Sequence, residues 1–188
     1  GLYIWELLIK SPLSLYFPLE VNSSYRVINS DKKYMEFMKV NRHRINSKFL
    51  EQKEKTVKIP YDNGIYSLCE FIRQNPSMNF TLLKEKILKS NSNSNADALI
   101  KKLLEIDLIK FKIPFAEQDT DYIDKIIIYL ENTNKTLREN CFSVKICSIL
   151  RRFQLIIQQG LGRDSNKIEK NLKLLTECLE ELATQLDG

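Results

Sequence analysis

Pro60 is the position that most constrains this chain, because the spacing of apolar residues changes there. Just before it, Thr56-Val57-Lys58-Ile59 alternates polar and apolar, the period of a strand with one buried face. Just after it, Ile65, Leu68, Cys69 and Ile72 fall at i, i+3, i+4 and i+7, the stripe of a half-buried helix. Proline suits such a boundary, since it has no N–H to give a central ladder. Strands therefore precede residue 60 and helices follow it, which makes the class α+β. Upstream, Ser24 to Ile28 is a short run of β-formers, Asn29-Ser30-Asp31 supplies turn residues, and Lys33 to Val40 reads as a second strand. Asn41 to Gln52 is polar and charged and is expected to be a long hairpin loop. With Thr56 to Ile59 as the third strand, the segment predicts a three-stranded antiparallel meander.

Three short helices are expected next. Asp62 or Asn63 can cap the first, and Asn75-Pro76 breaks it. Asn79 or Thr81 can cap the second, which buries Leu83 and Ile87 with Phe80 as a staple. A polar loop from Ser90 to Asn95 leads to the third, Asn95 to Ile106, with Leu99, Ile100, Leu103 and Leu104 inward. Asp107 to Phe111 leaves it as a short extended segment. Three strands, three helices and a closing strand form a winged-helix-like pattern. The N-terminal Leu2 to Ile9 reads as a helix stopped by Ser11-Pro12, and Leu13 to Pro18 as a connector. Beyond Pro114 everything is expected to be helical. One helix is capped by Gln118 to Asp121, a longer one spans Lys135 to Gln159 and ends at Gly160 and Gly162, and a last one starts at Asp164 or Ser165. In the last, Ile168, Leu172, Leu175, Leu179, Leu182 and Leu186 recur at alternating spacings of four and three. That seam is read as an antiparallel helix pair inside a domain. The organisation expected is a helical lead-in over 1–20, the winged-helix-like unit over 21–116 and a helical region over 117–188.

Charge is concentrated rather than merely positive. The net charge is +5, yet the stretch from Lys32 to Lys58 holds nine Lys/Arg against Glu36, Glu51 and Glu54, a local excess of six. Such a field favours an acidic partner. The four cysteines (Cys69, Cys141, Cys147, Cys178) form no CxxC pair and sit in apolar helical patterns, as small buried hydrophobes in a reducing compartment do. His43 is the only histidine and lies in a polar stretch between Arg42 and Arg44, so neither a metal cluster nor a Cys-His or Ser-His nucleophile is expected. No Walker P-loop, GxGxxG, GxSxG or HExxH motif occurs. No cofactor is expected in this chain, and alone it does not read as an enzyme. No apolar run reaches the ~18 residues of a membrane span, and Gly1 to Lys10 has no signal-peptide pattern. The chain opens inside an apolar pattern without an initiator Met, as a piece cut from a longer protein would.

A winged-helix unit ordinarily reads DNA with its third helix. Here that helix carries Asp97, Lys101, Lys102 and Glu105, which cancel, and no Arg. The basic charge lies on the strands instead, a placement suited to an extended acidic peptide added along a sheet edge. A DNA-binding regulator with a helical dimerisation tail is the alternative, and a helical scaffold whose basic strands touch tRNA is a third reading.

The segment Asn22-Ser23-Ser24-Tyr25-Arg26-Val27-Ile28-Asn29, followed by Tyr34-Met35-Glu36-Phe37, resembles the stretch of lantibiotic (lanthipeptide) dehydratases that opens a β-meander. The likeness continues through Leu99 to Leu130 and covers roughly Val21 to Leu130, resting on order and spacing. The family has Gly where Asp107 stands and Pro where Tyr122 stands, and its glutamylation and elimination segments have no counterpart here. The resemblance implies the leader-binding part of an enzyme that dehydrates Ser and Thr of a ribosomal precursor peptide, with glutamyl-tRNA as co-substrate. It implies a cytoplasmic setting, alone or within a membrane-associated complex, with the precursor peptide as partner; tRNA and a cyclase would be further partners of the whole enzyme. The leader would lie as an added strand between the third strand and the third helix. Carried onto this chain, the contacts are Thr56, Val57, Lys58, Ile59 and Tyr61 on the strand side and Lys101 and Lys102 on the helix.

Overall fold

The computed structural model describes residues 2–30, 32–46, 49–91, 95–115, 119–137, 141–158 and 165–187. It is α+β, with seven α-helices and two small antiparallel sheets among the described residues. The chain divides into two compact units: Pro18–Lys112, and a second built from both ends, residues 1–17 with 113–188.

In the first unit, β1 (Leu19–Val21) pairs with β5 (Ile109–Phe111), closing the unit on itself. Between them lie β2 (Arg26–Ile28), β3 (Tyr34–Asn46) and β4 (Phe49–Pro60), a sheet in the order β2-β3-β4. The helices are α2 (Asn63–Gln74), α3 (Phe80–Ser90) and α4 (Ala96–Glu105). Each begins at a side chain that satisfies an orphan N–H: Asp62 accepts from Ile65, Asn79 from Leu82 and Asn95 from Ala98, at 2.8, 2.9 and 3.1 Å. Met35 and Phe37 of β3 are fully buried, as are Cys69 and Ile72 of α2, Leu83 of α3 and Ile100 of α4. One core thus joins sheet and helices. Burial pushes the Cys69 thiol up to about 11, so it is an inert apolar filler.

Two expectations are corrected here. Asn41 to Gln52 is not a loop: β3 and β4 stay paired out to Asn46 opposite Phe49, with a register irregularity between Arg44 and Asn46. The sequence hid these strands because Asn41 to Gln52 shows no clean alternation of polar and apolar residues. His43 accordingly lies in β3, though its side chain is outside the described residues. Secondly, Leu19 to Val21, unassigned from sequence, is a strand whose partner lies some ninety residues away, a pairing that no local pattern announces.

The second unit holds α1 (Leu2–Lys10), a 3-10 turn at Pro12–Tyr16, α5 (Tyr122–Leu137), α6 (Cys141–Gln158) and α7 (Ser165–Asp187). The helix expected from Lys135 to Gln159 is divided: α5 runs on to Leu137 and α6 begins at Cys141. The expected terminators Gly160 and Gly162, and Asp164, lie outside the described residues. Trp5 stacks on Phe17 at 5.2 Å and meets Tyr129 edge-on at 5.7 Å, so the lead-in belongs to the helical core. On α7 the buried line is Asn171, Cys178 and Leu182, while Leu172 is half exposed, so the buried seam is rotated from the leucine repeat. No helix among the described residues is long and apolar enough to cross a membrane.

Candidate functional site

The candidate site starts from one hydrogen bond. Tyr61 N–H donates to Lys33 O at 3.3 Å. In an antiparallel ladder, bonded and non-bonded pairs alternate. The register then makes Met35/Ile59 and Phe37/Val57 bonded pairs, and Tyr34/Pro60, Glu36/Lys58 and Met38/Thr56 non-bonded ones. Pro60, which has no N–H, occupies a position that needs none toward β3. The other side of β3 agrees. Met38 N–H donates to Ser24 Oγ at 2.7 Å and Met38 O accepts from Asn22 Nδ2 at 2.8 Å, so its backbone faces the β2 side.

It follows that Thr56 and Lys58 turn their backbone N–H and C=O away from β3, toward the outer edge of β4. β4 is the terminal strand of its sheet, and no backbone hydrogen bond joins that edge to another segment among the described residues. The side chains of Thr56 and Lys58 are exposed, while those of Val57 and Ile59 are half-buried against the core. The edge is thus a row of paired donors and acceptors with an apolar side and a polar side.

The polar side carries a fixed charge pattern. Glu36 lies between Arg26 (2.5 Å) and Lys58 (3.4 Å), and Lys58 also sits 5.1 Å from the Tyr34 ring. The Arg26 guanidinium, more than Lys58, holds the Glu36 carboxyl below its ordinary range, and the same pairing raises Lys58. Lys39 donates to Glu105 O at the C-terminus of α4, tying that helix end to β3. Lys101 and Lys102 are exposed on α4, and neither pairs with a carboxylate among the described residues.

The predicted residues divide. Thr56 and Lys58 face the outer edge of β4, whereas Val57 and Ile59 bond back to β3 and turn their side chains to the core, on which Leu99, Leu104 and Ile106 of the α4 segment also pack. Tyr61 bonds toward β3 as Val57 and Ile59 do, its N–H going to Lys33 O, and its ring, which packs on the same core, lies 3.6 Å from Lys33 Nζ and lines a crevice at the end of the sheet. Sequence reasoning missed an apolar recess of about 510 Å³ between α2, the end of α3 and the start of α4, lined by Ile65, Leu68, Phe71, Ile87 and Leu99. The signal was present, since α2 carries more apolar residues than one core stripe requires.

No group of three or more His, Cys, Asp or Glu side chains that could hold a metal occurs among the described residues. No protein-family model, curated protein or solved structure matches the chain.

Proposed function

We propose that Pro18–Lys112 is a winged-helix peptide-recognition unit that takes up an acidic, aliphatic leader segment as an added strand on the outer edge of β4. In the fuller reading, the chain is the leader-binding part of a lanthipeptide dehydratase. The observation that carries it is the register: Thr56 and Lys58 offer N–H and C=O groups outward, with no backbone partner among the described residues. A guest strand gains affinity from those groups and specificity from side chains on alternate faces. The arrangement of charge supports an acidic guest, since Lys101 and Lys102 have no carboxylate partner among the described residues while Lys58 flanks the edge itself. Duplex DNA is the weaker fit, because Asp97 of α4 is bound to Lys84 at 2.6 Å and the helix carries no net charge.

Thr56→Pro tests this. The substitution removes one outward N–H and leaves the β3 ladder intact, as Pro60 already does four pairs along the strand. A labelled acidic-aliphatic peptide should bind the parent chain saturably, weaken as salt is raised, and lose about tenfold or more in affinity on the variant. Equal affinity for parent and variant, or no binding by the folded parent, would overturn the proposal.

A further inference from the structure

At the end of the sheet away from the hairpin tip, a crevice of about 470 Å³ opens between β2, the residues that follow β4, and α2. Its walls combine two chemistries. Tyr61 and Tyr66 present rings 5.8 Å apart inclined at 40°, and the buried Tyr25 ring lies beneath Arg73, whose guanidinium is 4.9 Å from its centroid. Around these rings stand Arg26, Lys33 and Arg73, against Glu70 as the one carboxylate of the lining among the described residues, which gives those residues an excess of two positive charges.

The cations are not equally committed. Arg26 is held by Glu36, and Arg73 by Glu70 at 2.9 Å and by Tyr25 O at 3.4 Å. Both keep further N–H donors, since a guanidinium has five. Lys33 makes no ion pair among the described residues; its ammonium rests 3.6 Å from the Tyr61 ring centroid. An exposed cation–π contact is weak, and an anion would outcompete it. The volume falls within the ~300–1,000 Å³ range of small-molecule sites.

We propose that this crevice binds a nucleoside monophosphate, the phosphate on Lys33 with help from Arg73 and the base against Tyr66 and Tyr61. A flat π-system with an anion one sugar away matches the pairing of rings and cations, as stacking platforms beside basic grooves do for nucleic acid bases. An acidic peptide side chain would use the cations and leave both rings without a partner. The crevice is lined by none of the outward-facing residues of the β4 edge, so the inference stands apart from the peptide reading.

Titration calorimetry of the full chain with AMP, adenosine and inorganic phosphate decides it. AMP should bind saturably and more tightly than adenosine or phosphate. Lys33→Ala, at an exposed position, should weaken AMP about tenfold, the loss of one charge-assisted contact. Tyr66→Ala should do the same with an unchanged circular-dichroism spectrum, while Tyr66→Phe, which keeps the ring, should bind like the parent. Absence of saturable AMP binding, phosphate binding as tightly as AMP, or an unchanged affinity in Lys33→Ala would each overturn the assignment. Thr56→Pro should leave AMP binding unchanged, which separates a failure here from a failure of the peptide proposal.

Discussion

Asn22 has four side-chain hydrogen-bonding sites, and the fold uses every one. Nδ2 donates to Met38 O and Asp107 O, both at 2.8 Å, while Oδ1 accepts from Ser24 N and Ser24 Oγ. Its own N–H reaches Leu108 O, and its carbonyl accepts from Tyr25 N–H. The residue is almost wholly buried, so water cannot replace these partners. Where β2 stops, Asn22 and Ser24 continue its pairing to Met38 with side chains, and the same amide grips the turn between α4 and β5. That turn is strained: Asp107 has φ 62°, the left-handed region that glycine enters most easily. The Asn22 amide, which donates to Asp107 O, helps to hold an aspartate in a conformation that glycine adopts more easily. Asn22→Ala leaves Met38 O, Asp107 O and the Ser24 hydroxyl short of partners, and should cost about 2–4 kcal/mol of unfolding free energy in a urea titration. Ser24→Ala, which removes one donor to Asn22 and one acceptor for Met38, should cost about half as much.

At the scale of elements, the meander is held by its core face and clasped on its outer face by Glu36. Because the Glu36 carboxyl is held below its ordinary value of 4.5, the folded chain binds fewer protons there than the unfolded chain does. The clasp is complete above 4.5 and is lost as pH falls through the lower folded value. Glu36→Gln should therefore flatten that part of the acid limb of a pH–stability profile, and leave the profile above the carboxylate range unchanged in slope. How far these elements could be read beforehand depended on where their partners lie. Asp62, Asn79 and Asn95 announced three helix starts because a cap acts within three residues. Val57 and Ile59 announced β4 because one face meets the core. The outer hairpin gave no such sign, since Asn41 to Gln52 shows no clean alternation of polar and apolar residues. On α7, the leucine repeat pointed to Leu172, but burial of Asn171 shows that neighbouring helices, not apolar content, choose the inward face. The candidate edge was legible as a strand with a basic neighbourhood; that Thr56 and Lys58 are its outward residues needed the register set by Tyr61 and Lys33. The surroundings of the Tyr61 ring, Lys33 and Tyr66, could not be read beforehand, because a ring's partners are set by tertiary packing.

At the scale of the whole molecule, continuity of chain and continuity of core disagree. The first unit is one unbroken segment whose first strand pairs with its last, so every residue of its core cluster lies between Leu19 and Phe111. The second unit draws its core from both termini: Ile4, Trp5, Leu8, Leu13 and Phe17 come from the start, and Ile126, Leu130, Ile146 and Leu182 from the end. The two should respond differently to cutting. A polypeptide of residues 18–112 keeps its whole core and both sheets, and should unfold cooperatively with m-value and heat-capacity change scaled to its own length. A polypeptide of residues 113–188 keeps its three helices but loses Trp5 and Phe17, each a fully or nearly fully buried aromatic, whose removal one at a time would cost about 3–5 kcal/mol. That exceeds a large fraction of the stability of a small domain, so it should show helical circular dichroism without a sharp transition, and adding residues 1–17 in trans should sharpen it. If residues 18–112 failed to fold while 113–188 folded alone, the division of the core argued here would be wrong. With cooperative folding of 18–112, binding at the β4 edge can be measured on that segment, since Thr56, Lys58, Lys101 and Lys102 all lie within it.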